Sequence, residues 1–169
     1  LPDIVQSWDQ PGNPVNPYGV WINNGSGWDN YTANWSWEDK GFFANNGYVD
    51  QRIIPIDING DGHNDLVQAN DLTNTKAVWI NNGSGWYNDS NNWSIPTYFG
   101  EYYDQGVRLT DINGDGFVDI VKSYIGQGEP GNPEYGVWLN NASKNYLMKN
   151  ITTEFGGTIV VDYKKSTYL

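Results

Sequence analysis

One phrase in this chain is written twice without a change. Val20-Trp21-Ile22-Asn23-Asn24-Gly25-Ser26-Gly27-Trp28 returns as Val78-Trp79-Ile80-Asn81-Asn82-Gly83-Ser84-Gly85-Trp86, about 58 residues later. A third copy, Val137-Trp138-Leu139-Asn140-Asn141-Ala142-Ser143, keeps the spacing and loses the ending. A second phrase, Asp57-Ile58-Asn59-Gly60-Asp61-Gly62, returns as Asp111-Ile112-Asn113-Gly114-Asp115-Gly116 about 54 residues on. Smaller echoes keep the same phase: Asp50-Gln51 with Asp104-Gln105, and Asn34-Trp35-Ser36 with Asn92-Trp93-Ser94. A fixed period of this length specifies an array of supersecondary units, each burying its apolar face against a neighbour, rather than one irregular core.

Each unit reads as β. Residues 52–58 and 107–112 are short and rich in β-branched side chains, 65–68 and 119–123 form a second run, and 78–80 and 137–139 a third. The neighbourhoods of Trp28, Trp35, Trp86 and Trp93 supply a fourth strand. Asn-Asn-Gly-Ser-Gly between Trp21 and Trp28 predicts a hairpin, because Asn and Gly tolerate the positive φ of such loops. Pro-Gly-Asn-Pro at 11–14 and 130–133 is further turn chemistry. No segment sustains a 3.6-residue apolar period, so almost no helix is expected. Four short antiparallel strands per unit is the grammar of a β-propeller blade; a β-sandwich is the alternative, but it does not require a long phrase at constant spacing. The expectation is an all-β chain of about three four-stranded antiparallel blades. Propellers close with about four to eight blades, so these three form a partial propeller, or part of a larger or oligomeric one. The opening Leu1-Pro2-Asp3-Ile4-Val5 resembles the tail of the Asp-rich phrase without its head, as if the chain began within a repeat. Blades are therefore expected over 1–150, with 151–169 an exit segment toward a following domain.

Composition removes several function classes. There is no cysteine, hence no disulfide framework. Nine basic against twenty acidic side chains leave a formal charge of −11, which repels phosphate backbones and argues against a nucleic-acid partner. No apolar run approaches the roughly 20 residues of a membrane-spanning helix. Aromatic content of 15%, with 9 Trp, is too high for an acidic disordered tail, so the chain folds.

Asp57-x-Asn59-x-Asp61-x-His63-x-Asp65 and Asp111-x-Asn113-x-Asp115-x-Phe117-x-Asp119 place a candidate ligand at every second position. Ca²⁺ takes six to eight oxygens at about 2.3–2.6 Å. A tightly curled loop delivers them from alternate residues, the seventh through its backbone carbonyl, so the identities of His63 and Phe117 are not expected to matter. The glycines permit the curl. Position twelve, where an EF-hand carries a bidentate Glu, holds Gln68 or Lys122, so Asp65 and Asp119 take the closing role. Asp3 would be the sole remnant of a first such site.

The Asp-x-Asn-Gly-Asp-Gly-x-x-Asp-[Leu/Ile]-Val loop resembles the calcium loop of FG-GAP (VCBS-like) repeats, the blade units of integrin-α-type propellers. The Val-Trp-[Ile/Leu]-Asn-Asn-Gly-Ser-Gly-Trp phrase is similar to blades of Rhs/YD-repeat and toxin-complex B-component proteins. Residues 154–167 resemble the segment that leaves the propeller for the Rhs shell in those proteins. The third unit departs from the pattern by losing Gly-Ser-Gly-Trp, and Phe-Gly-Gly-Ala-Pro is absent. The resemblance implies a non-catalytic platform that binds a protein partner or further blades of the same parent.

Nothing in the sequence builds an enzyme. His63 is the lone histidine and sits in a calcium loop. With no cysteine, Cys/His and His-rich zinc sites have no materials, and the evident carboxylates are committed to metal. Trp21, Trp79 and Trp138 are expected to pack between blades, since Trp buries a large area. Exposed Trp28, Trp35, Trp86 or Trp93 would suit a second reading, a lectin-like propeller stacking on glycan rings. Asn24, Asn34, Asn82, Asn92 and Asn141 head Asn-x-Ser sequons. The sequence-level expectation is thus a calcium-stabilised protein-interaction domain, secreted or at the cell surface, with homo-oligomers one route to a complete ring.

Overall fold

A computed structural model describes residues 1–8, 18–35, 43–44, 50–100, 103–125, 134–142, 148 and 150–162. These residues are all-β apart from one 3-10 turn at Ser90–Asn92. The strands are β1 Ile4–Ser7, β2 Tyr18–Asn23, β3 Trp28–Asn30, β4 Ile53–Ile56, β5 Asp65–Asn70, β6 Thr75–Asn81, β7 Trp86–Asn88, β8 Val107–Thr110, β9 Asp119–Tyr124, β10 Glu134–Trp138, β11 Asn150–Thr152 and β12 Thr158–Val160. They form four small antiparallel sheets, ordered β1-β2-β3, β4-β5-β6-β7, β10-β9-β8 and β11-β12, and no closed barrel.

The middle sheet is a complete four-stranded unit. Among the described residues its neighbours each show three strands in the same register: Leu66 opposes Trp79, Ile4 opposes Trp21 and Ile120 opposes Trp138. The identical phrases fold identically. Asn24 donates its N–H to the Gly27 carbonyl and Asn82 to that of Gly85, at 3.0 Å each, closing the β2–β3 and β6–β7 hairpins. Gly25 and Gly83 occupy the left-handed region at φ 91° and 82°. The counterpart of β7 in the third unit, the Pro-Gly-Asn-Pro segments and residues 163–169 lie outside the described residues.

The middle sheet is buried on both faces, which explains why β5 reads Asp-Leu-Val-Gln-Ala-Asn without a solvent-facing alternation: all six residues are buried. Alternate residues serve two cores. Leu66, Ala77 and Trp79 join Ile53 and pack with Val5 and Tyr18 of the first unit. Val67, Ala69, Val78 and Ile80 join Ile58, Ile95 and Phe99, and pack with Val107 and Ile120 of the third. Sheets stacked face to face, sharing hydrophobic cores, are the arrangement of neighbouring blades. Two parallel bridges recur at the unit junctions, Trp8 with Ala44 and Asn70 with Gly100. The tryptophan layer exists but is uneven. Trp79 is buried, whereas Trp21 and Trp138 are half-buried, each folded over the glycine two residues earlier; a Cβ on Gly19 or Gly136 would strike the ring. The predicted strand character around Trp93 is absent, because Trp93 caps the 3-10 turn.

Near the C-terminal end of the described residues, β11 and β12 form a two-stranded hairpin, exposed throughout, with Phe155 97% exposed at its turn.

Candidate metal centre

The two Asp-rich loops connect β4 to β5 and β8 to β9, and they are curled. Gly60, Gly62, Gly114 and Gly116 all have φ between 73° and 92°, a region that costs other L-residues about 1–2 kcal/mol. The curl is held by the loop's own carboxylates. Asp57 Oδ1 accepts the N–H groups of Gly60 (2.7 Å) and Asp61 (3.1 Å), and its Oδ2 accepts that of Gly62 (2.8 Å). Asn59 Oδ1 also accepts from Asp61 N–H, and Asp61 Oδ1 accepts the His63 N–H. Asn59 Nδ2 donates to Asp61 Oδ2.

The second loop repeats every one of these bonds. Asp111 accepts from Gly114, Asp115 and Gly116, Asn113 Oδ1 from Asp115 N–H, and Asp115 Oδ1 from Phe117 N–H. Asn113 Nδ2 again donates to the carboxylate two residues on.

The ninth residue anchors the curl to the sheet. Asp65, with no exposed surface, accepts the Ile58 N–H on Oδ2 (3.0 Å) and the Asn81 N–H on Oδ1 (2.8 Å). Asp119 does the same with Ile112 and Asn140. Asp3 preserves half of this role, accepting from Asn23 N–H at 2.8 Å. The Asn of the Trp-Ile-Asn-Asn phrase is thus the partner of the ninth aspartate in all three units. Nothing within either phrase signals this link, although the two recur together.

Burial pushes the Asp65 carboxyl up to about 6; the neighbouring Asp61 and Asp57 charges add to the shift, while the Asn81 and Ile58 N–H groups oppose it. Among the described residues, no basic side chain forms an ion pair with Asp57, Asp61 or Asp65. Buried carboxylate facing carboxylate without a counter-charge is costly, and an oxygen-seeking cation is the group that relieves it. In kind and order the donors fit such an ion. Their present geometry is not that of a closed cage: among the described residues no three His, Cys, Asp or Glu side chains converge as a metal would draw them. In the first loop Asp61 Oδ2 is turned onto the Asn59 amide instead.

The side chains at position seven differ between the loops. His63 is exposed, as a residue ligating through its carbonyl can be, but Phe117 is buried, and its ring lies against Gly60 of the preceding loop, where a Cβ would come within 2.8 Å. Phe117 therefore joins the two loops. Asn140 does so too, its Nδ2 donating to the Ile58 carbonyl at 2.9 Å.

The four candidate stacking tryptophans divide. Trp28 is 51% exposed, with Nε1 donating to the Pro2 carbonyl. Trp35 and Trp86 are half-buried against each other, edge to face, with centroids 4.6 Å apart. Trp93 is half-buried and lines a cavity. The sequon asparagines Asn24, Asn34, Asn82, Asn92 and Asn141 are all exposed.

No curated protein and no solved structure matches the chain. Residues 57–121, less than half of the 169, match the family model of the FG-GAP-like repeat, running from the first aspartate of one Asp-rich loop to just past the end of the other; repeats of that family generally form non-catalytic, propeller-type interaction domains.

Proposed function

We propose that this chain is a calcium-stabilised, non-catalytic β-propeller segment that presents a binding platform to a protein partner or to other blades of its parent. The observation that supports the calcium reading is the repetition, bond for bond, of two curled loops that carry the same oxygen donors in the same order, each closed by a buried ninth aspartate. In each loop Asp57, Asn59, Asp61, the carbonyl of His63 and Asp65, or Asp111, Asn113, Asp115, the carbonyl of Phe117 and Asp119, would hold the ion. The ion would supply positive charge and fixed coordination, and no chemical step. Modules of this kind in extracellular settings bind Ca²⁺ with Kd of order 10⁻⁴–10⁻³ M, which supports placement outside the cell. The Rhs-type relationship is supported by the Trp phrase and by residues 154–167.

Thermal melting in chelator and in titrated Ca²⁺ tests the metal. At about 100 Kd of free ion each site adds roughly 2.7 kcal/mol, so the midpoint rises with Ca²⁺. Superimposable melts in chelator and in 10 mM Ca²⁺ would sink the reading.

A further inference from the structure

A groove opens between the second and third units, and its chemistry differs from that of a core gap. One part, of about 270 Å³, is lined by Ile58, Trp93, Ile95, Trp138 and Asn141, among others. An adjoining part of about 420 Å³ adds Asp89 and Asn92, and the two share Trp93, Ser94 and Asn140. Trp93 and Trp138 each back onto the hydrophobic core, leaving their outer surfaces toward the groove.

Trp93 is held in place from below. Its Nε1 donates to Asp89 Oδ2 at 3.0 Å, and Asn92 Nδ2 donates to Asp89 Oδ1 at 2.6 Å. The indole N–H is thereby used up, so a ligand meets the ring as a surface rather than as a donor. Around it stand polar groups with capacity left. The side chains of Ser94 and Asn141 are exposed, and neither forms a hydrogen bond among the described residues. The Asp89 carboxylate retains further lone pairs.

The sequence differs between the two junctions. At the preceding junction Trp35, the counterpart of Trp93, is covered by Trp86. The counterpart of Trp86 in the next unit is Asn145, because the third copy has lost its Gly-Ser-Gly-Trp ending. Among the described residues Trp93 has no aromatic side chain stacked on it, and its ring lines the groove.

The geometry points to a saccharide site in this groove, taking a neutral hexopyranose whose C–H face lies on Trp93 and whose hydroxyls meet Asp89, Asn92, Ser94 and Asn141. The electron-rich ring face attracts the weakly positive C–H groups of a pyranose. A carboxylate and side-chain amides satisfy hydroxyls, which both donate and accept. A pocket with an aromatic floor and few convergent polar groups is the general form of a small-ligand site. The net charge of −11 disfavours acidic sugars. A proline-rich peptide also docks on aromatic grooves, but it offers mainly carbonyl acceptors and leaves Asp89 without donors.

The test is calorimetric titration of the whole chain, in Ca²⁺, with the methyl glycosides of glucose, galactose, mannose and N-acetylglucosamine, and with a proline-rich peptide. At least one glycoside is expected to bind saturably. Trp93→Ala should weaken it at least tenfold and Asn141→Ala, at an exposed and unbonded side chain, at least threefold, while Trp28→Ala changes nothing. Should Trp93→Ala fail to fold, Asn141→Ala carries the test alone. The proposal is overturned by no binding of any glycoside, by glycoside binding indifferent to Asn141→Ala, or by binding of the peptide alone. Melting in chelator reports on the metal separately, so failure of one reading leaves the other measurable.

Discussion

At the contact between Phe117 and Gly60, two costs of a methyl group come apart. Gly60 and Gly62 both sit in the left-handed region, at φ 77° and 92°, yet only at Gly60 does a Cβ meet a neighbour. Gly62→Ala therefore carries backbone strain alone, about 1–2 kcal/mol. Gly60→Ala adds displacement of a buried aromatic ring, for a total of about 2–5 kcal/mol. Urea denaturation of both variants checks the order. Phe117→Ala should cost about 3–5 kcal/mol as a core truncation, and the two changes should be non-additive, because Gly60→Ala in that background has no ring to displace. Equal effects of the two glycine substitutions would mean that the loops do not touch. A parallel expectation separates the two kinds of aspartate. Asp65→Ala leaves the buried Ile58 and Asn81 N–H groups without acceptors and should cost about 2–4 kcal/mol even in chelator. Asp61→Ala, whose partners are the exposed His63 N–H and the Asn59 amide, should cost under about 1 kcal/mol in chelator and matter chiefly when Ca²⁺ is present. Chemical denaturation with and without chelator distinguishes them.

Strand by strand, the units were legible because turn residues and β-branched runs recur in phase. β4, β5, β8 and β9 fall within about two residues of the expected runs, β6 and β10 each begin three residues before theirs, and the fourth strand begins at Trp28 and at Trp86 as anticipated. The curled loops were legible for a similar reason: Asx-type bonds from residues 57, 59 and 61 are local and depend on spacing alone. What did not follow from the sequence is every contact made across units. That Phe117 would pack on Gly60, that Asn140 would reach Ile58, and that Trp35 would be covered by Trp86 depend on how sheets stack. Sheet stacking here divides one strand's residues between two cores, Leu66 to one and Val67 to the other, and no periodicity within β5 distinguishes that from a single buried face. The element-level consequence is that Asn140→Ala removes a link that Asn81→Ala does not. Asn81 Nδ2 donates to Asn64 within its own unit, whereas Asn140 Nδ2 reaches into the preceding one. Both should cost about 1 kcal/mol in denaturation, but hydrogen exchange at Ile58 and Gly60 should accelerate only in Asn140→Ala.

In an array whose units contact only their neighbours, stability is nearly a sum of unit terms and interface terms, and here the interface term runs through the proposed metal loops themselves. Ordering the second loop around an ion fixes the backbone of Phe117 and so fixes the ring that rests on Gly60. Ordering the first fixes Ile58, whose carbonyl receives Asn140, and Asn140 N–H in turn binds Asp119 of the second loop. Each loop is thereby part of the other's support, and filling one should lower the conformational cost of filling the other. Couplings of this kind commonly amount to about 1–3 kcal/mol. The expected result is that Asp61→Ala, which disables the first loop, also weakens Ca²⁺ binding at the second by at least fivefold, and that Asp115→Ala weakens the first by the same factor, since the coupling is reciprocal. Calorimetric titration of both variants gives the two constants. In a Phe117→Ala background the penalty should shrink, because the ring that carries it is gone. If Asp61→Ala leaves the second affinity at its wild-type value, the loops are independent, and the stacking contact stabilises the sheets without relaying the state of one loop to the other.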